Sequence, residues 1–129
     1  MRIAYLGNFE PPHSTENHIA RAFYNIGHKV VKCQEGHLPT LQELTRTAGE
    51  YDLIAWTRTR DLADKVGHEA QMKLLYHARQ AGVKVIGLHL DLWWGIGREA
   101  EVLTEPFFRV DTLFSADGGH QDEFGWAGV

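Results

Sequence analysis

The residues most able to do chemistry lie at the end of one apolar run, Val83-Lys-Val-Ile-Gly-Leu-His-Leu-Asp-Leu-Trp-Trp-Gly-Ile-Gly97. A buried-strand pattern leads there directly into His89, Asp91, Trp93 and Trp94. In open α/β sheets, ligands bind outside the carboxyl ends of the parallel strands, so an imidazole and a carboxylate two residues apart fall where a substrate is met. The chemistry open to such a pair is proton transfer. A histidine titrates near neutrality, and an adjacent carboxylate orients its ring and favours the charged form.

Other polar residues follow apolar runs in the same way. Gly7, Asn8, Glu10 and His13 sit after the first run, and Asp117 and His120 flank a Gly-Gly pair after the last one. These are candidate ligand contacts, together with Trp93 and Trp94 as stacking platforms. Each has a plainer alternative. His89 fits a buried histidine bonded to a neighbouring loop, Asp91 a turn cap, and the two tryptophans core packing. Asn8, Glu10 and His13 fit a solvated loop, and Asp117 with His120 a turn built on glycines. Arg58 and Arg60 fit pairing with acidic side chains rather than phosphate binding. Their geometry depends on the elements that carry them.

Hydrophobic period switches along the chain between strand-like and helix-like. Arg2 to Gly7 reads as a buried strand, and a helix capped by Ser14 or Thr15 follows, with Ile19, Ala22, Phe23 and Ile26 on one face and Gly27 at its end. His28 to Cys33 reads as the second strand. Thr40-Leu-Gln-Glu43 has the capping-box pattern and opens a helix ending near Gly49. Tyr51 to Thr57 is the third strand, Gly67 to Ala81 a helix, Val83 to His89 the fourth strand, Arg98 to Leu103 one or two helical turns, and Asp111 to Ala116 the fifth strand. Strands alternating with helices imply right-handed crossovers and a parallel sheet covered on both faces. The expected fold is a single Rossmann-like three-layer α/β/α sandwich over residues 1–129, with strand order 3-2-1-4-5.

Composition narrows the function classes. With 129 residues, 43% hydrophobic and 23% charged, the chain suits one globular domain with a core of its own. No apolar run reaches the roughly 20 residues of a membrane span. A formal net charge of −4 gives no basic footprint for non-specific nucleic-acid binding. Cys33 is the only cysteine and the N-terminus enters a strand at once, which points to the cytoplasm. The Gly7-Asn-Phe-Glu-Pro-Pro12 loop lacks the glycine triplet of dinucleotide binding, and no P-loop, nucleophile elbow or metal-ligand spacing occurs. Trp56-Thr57-Arg58 lacks the strand-end carboxylate of a phosphoacceptor receiver. No bound metal or cofactor is expected.

Three segments together carry a resemblance: the opening Arg2-Ile-Ala-Tyr-Leu-Gly7, the Val85-Ile-Gly-Leu-His-Leu-Asp91 strand end, and Asp111-Thr-Leu-Phe-Ser-Ala-Asp-Gly-Gly119. They resemble the N-terminal half of GT-B glycosyltransferases, nearest the bacterial and phage members akin to spore-maturation glycosyltransferases. The resemblance implies two facing Rossmann-like domains, the first holding the acceptor and the second a nucleotide-sugar donor. It implies a strand-end histidine that acts on the acceptor or on the donor phosphate, matched here by His89 with Asp91; read from the residues, His89 is the best candidate base and Asp91 its candidate orienter. Beside these two, Gly7, Asn8, Glu10, His13, Trp93, Trp94, Asp117 and His120 stand as the candidate substrate contacts read from the residues themselves. It also implies a donor-binding domain, beyond Val129 or on a partner chain, without which this chain is inactive. The competing expectation is a stand-alone module that binds a small ligand or a protein without turnover.

Overall fold

The computed structural model describes residues 1–129. Five strands, β1 (Arg2–Gly7), β2 (Lys29–Gln34), β3 (Leu53–Trp56), β4 (Lys84–His89) and β5 (Thr112–Ser115), form one all-parallel sheet. Six helices connect or follow them: α1 (Thr15–Asn25), α2 (Leu38–Thr47), α3 (Arg60–Val66), α4 (His68–Gln80), α5 (Glu99–Thr104) and α6 (Gln121–Trp126). The α/β fold read from the sequence is therefore present, and every strand delivers its carboxyl end to the same edge.

The strand order is 2-1-3-4-5, not 3-2-1-4-5. The reason lies in which strands tolerate an edge. β3 is Leu-Ile-Ala-Trp, with Ile54, Ala55 and Trp56 buried on alternate faces, so it requires neighbours on both sides. β2 carries Lys29 and Lys32 and is mostly exposed, the composition that protects an open edge. β1 accordingly pairs with both, matching Ala4 to Val31 on one side and to Ile54 on the other. The chain reverses its direction of travel between β1 and β3, and such a reversal opens a crevice at the carboxyl edge.

Two cores flank the sheet. On one face Leu6, Trp56 and Val85 pack with Leu41, Leu44, Leu74 and Ala78 from α2 and α4, and with Phe107 and Phe108 from a 3-10 turn at Pro106–Arg109. On the other, Ile3, Tyr5 and Ala55 meet α1 through Ala20, Ile19 and Phe23. This second layer is a single helix, so coverage is less even than expected, and Phe114 of β5 stays 57% exposed. No helix is long and apolar enough to cross a membrane.

Local differences have local causes. α2 starts at Leu38 because Pro39 supplies a preset first turn, and the expected capping box does not form. Thr40 Oγ1 instead meets His37 Nδ1 at 2.6 Å, and Glu43 pairs with Arg46. The short helices α3 and α6 and the 3-10 turn lack a long periodic face and were not expected from the pattern. Gly67, at φ 78°, separates α3 from α4.

Gly87 in β4 shows how closely the larger core is packed. A Cβ there would lie 2.9 Å from Leu113 Cδ1 and 3.1 Å from both Phe107 Cζ and Val110 Cγ2. Gly87→Ala is expected to lower the unfolding free energy by about 1–3 kcal/mol through overpacking. Urea denaturation with an unchanged slope checks this.

Candidate functional site

The crevice at the switch point is bounded by the first turn of α1, by the Thr57–Asp61 segment after β3 and by the loop after β4, and encloses about 420 Å³. Its lining is almost wholly polar, with Leu90 the one apolar contributor. Each wall has a local explanation. Ser14 caps α1 by accepting from Asn17 N–H at 3.2 Å. Asn17 Nδ2 donates to the carbonyls of Phe9 and Pro11, which pins the preceding loop. This delivers Thr15 and Glu16 to the crevice. Gly7 is required beneath them, because a Cβ there would come within 2.8 Å of Glu16 Cγ.

The second wall follows β3. Thr57 is buried and its Oγ1 bonds Tyr5 Oη at 2.8 Å, while burial pushes the Tyr5 phenol up to about 12. The Arg58 side chain is 2% exposed. Its Nη2 lies 2.9 Å from Glu105 Oε2 and 3.8 Å from Asp64 Oδ1. Neither Nε nor Nη2 is aligned for a hydrogen bond, so the Glu105 contact is an ion pair held by proximity. The guanidinium also stands 5.4 Å from the centre of the Trp93 ring, and that of Arg98 stands 5.6 Å from it. Arg60 pairs with Glu101 at 3.1 Å.

Glu35, just past β2, anchors this wall from behind. Its Oε1 accepts from Thr59 N–H and its Oε2 from Trp56 Nε1–H, both at 2.6 Å. Burial dominates these bonds and the nearby Arg58 charge, and raises the carboxyl from 4.5 to about 7.

His89 belongs to a different environment on the same edge. It is 5% exposed, enclosed by the rings of Trp93, Phe107, Phe108 and Phe124 at centroid distances of 5.3 to 6.2 Å. Nδ1 bonds Ser115 Oγ at 3.0 Å and lies 4.0 Å from Asp117 Oδ2, while Nε2 is buried without a partner. Burial lowers its pKa from 6.5 to about 4, against the raising influence of Asp117 and Asp91. A ring so enclosed is neutral at pH 7 and has no path to a substrate hydroxyl in this conformation.

The residues read from the sequence therefore separate. Asp91 is exposed and lines the crevice, but the nearest hydrogen-bonding partner of His89 is Ser115, with Asp117 rather than Asp91 the closest carboxylate. Gly7 supports the crevice from beneath. Trp93 is buried and backs it through two guanidiniums, while its backbone N–H donates to Asp117 Oδ2 at 2.7 Å. Trp94 stacks on His120 at 5.9 Å, away from the crevice. Asn8 accepts from Gln34 Nε2, and Glu10 and His13 are exposed outside the crevice lining. Glu16, Glu35, Thr57, Arg98 and Glu105 were not singled out from the sequence, although the strand-end position of Thr57-Arg-Thr-Arg60 was visible in it. Arg58 and Arg60 do pair with carboxylates. No protein-family model matches the chain, and no curated protein matches it.

Two predictions follow from these geometries. Glu105→Gln, which strips the buried Arg58 of its nearest counter-charge, is expected to cost about 3–5 kcal/mol. Glu101→Gln, at the half-exposed Arg60, should cost under about 1 kcal/mol; equal losses in chemical denaturation would contradict the difference in burial.

The second concerns pH. Glu35 holds a proton in the folded chain where the unfolded chain has released it, so its stabilisation is complete below pH 4.5 and disappears as pH rises to about 7. His89 has its pKa lowered on folding, so its contribution is present above 6.5 and is lost as pH falls towards 4. The two oppose each other between pH 4.5 and 6.5. Glu35→Gln removes the first, and its stability should climb with pH across that window more steeply than the wild type's. Urea melts at half-unit pH steps read the slopes.

Proposed function

We propose that this chain is the acceptor-side domain of a GT-B type glycosyltransferase, with the crevice between β1 and β3 as its acceptor pocket. The observation that carries the reading is the polar 420 Å³ crevice at the carboxyl edge, where carboxylates, guanidiniums and threonine hydroxyls converge on space that a hydroxyl-bearing ligand can enter. Around it, Leu90, Leu92 and Ile96 expose apolar surface on the loop after β4, suited to contact with a second domain across the cleft. The diphosphate of a nucleotide-sugar donor then belongs to that second domain or to a partner chain. In this reading His89, Ser115 and Asp117 hold the β4 loop, and Asp91 reaches the acceptor from it. The buried Cys33 thiol, pushed up to about 11 by burial, is kept from reacting.

The enclosure of His89 favours a second reading, in which the crevice binds its ligand without turnover. The first reading expects glycan binding by the chain, and the second only a small ligand or a protein held without turnover. The first alone expects transfer when a donor-binding domain is supplied.

Calorimetric titration with uridine and guanosine diphosphate sugars, alongside a glycan array, tests the proposal. Glycan binding together with nucleotide-sugar affinities weaker than roughly 10 μM, about −7 kcal/mol, is the expected result. Tight nucleotide-sugar binding would overturn the assignment of the donor to another domain, and an array without any bound glycan would overturn the acceptor pocket.

A further inference from the structure

Charge in the crevice is unevenly satisfied. Arg58 and Arg60 are both engaged by carboxylates, Glu105 and Glu101, and so are poorly placed to receive an anion. Glu16 is the converse: it is 7% exposed, lines the crevice, and its carboxylate has no hydrogen bond or ion pair within the protein. Its oxygens are not closed off with the rest of the residue but open onto the crevice, and so obtain their hydrogen bonds from what occupies it. Asp91 adds a second carboxylate on the rim, and the guanidinium of Arg98, with only the Trp93 ring against it, adds a cation.

A phosphate or carboxylate ligand would meet Glu16 and Asp91, and an ammonium would meet Arg98. A ligand with adjacent hydroxyls satisfies both, because each hydroxyl donates to a carboxylate and accepts from a guanidinium. Resting on the acceptor-pocket reading, we infer that the crevice selects neutral polyhydroxylated ligands over phosphate-bearing ones, with Glu16 accepting a hydrogen bond from a ligand hydroxyl. Glu16 is thus the residue that determines specificity there. Gly7 serves it by leaving room for the side chain to fold over the strand end.

The test is amide chemical-shift titration of the whole chain with methyl glycosides of the common hexoses, and separately with inorganic phosphate. Glycosides should shift the amides of Thr15, Glu16, Thr57 and Thr59, and phosphate should not. Glu16→Gln removes the charged acceptor at nearly constant shape and should weaken glycoside binding at least tenfold with the melting temperature preserved. Glu16→Asp, which retracts the carboxylate by one methylene, should weaken it as well and stands in if the glutamine variant fails to fold. Unchanged affinity in a folded variant, or phosphate shifting these amides more than glycosides do, overturns the inference while leaving a glycosyltransferase reading open. Glycosides that leave the crevice amides unmoved overturn both.

Discussion

A guanidinium closed off from water at the carboxyl end of β3 imposes conditions on everything around it. Arginine does not shed its charge when buried, so Arg58 must be met by opposite charge and by polarizable surface. Glu105 supplies the charge from the turn that opens the Phe107-Phe108 segment, and Trp93 supplies its ring from the loop after β4. Arg58 therefore ties three chain segments together at one edge of the sheet. Glu35 completes the arrangement from β2 by clasping Thr59 and Trp56 on either side of it. The buried charge and the crevice wall are the same structure, so the stability of this edge and the shape of the crevice are not separable.

The carboxyl edge divides into a wet half and a dry half. At β1 and β3 the ends carry Glu16, Thr57 and the arginines around open space. At β4 and β5 they carry His89, Trp93, Phe108 and Phe124 in edge-to-face and tilted contacts. Aromatic pairs of this kind contribute about 0.5–1.5 kcal/mol each beyond their buried area. That enclosure depresses the His89 pKa, because desolvation outweighs the attraction of Asp117. Asp117 spends one carboxylate oxygen on the Trp93 amide, fixing the loop that separates the two halves. A histidine at a strand end is thus here a component of the core, while the free carboxylate belongs to a helix start.

Alternation of apolar runs with helical faces was enough to read a parallel α/β sheet, since both signals are local and repeat along the chain. Five strands, a helix cap at Ser14 or Thr15 and the Gly27 stop all follow from residue type and spacing. That the strands would present their carboxyl ends along one edge also followed, because parallel strands share that edge. Asp91, which lines the crevice, and Gly7, which lies beneath Glu16, were placed at that edge in this way.

Tertiary structure decided what depends on neighbours distant in sequence. Strand order turned on whether β2 or β3 could bear an edge, a comparison of burial on both faces that became evident only when α1 and α4 were in place. The partner of His89 was not the carboxylate two residues away but Ser115, 26 residues on, because β4 and β5 pair in register and bring those two ends together. Glu16 lies in the first turn of α1 and Glu35 directly after β2, and neither was singled out from the sequence. Burial is a property of the assembled layers, and it alone distinguished these carboxylates from the solvated ones that share their sequence context.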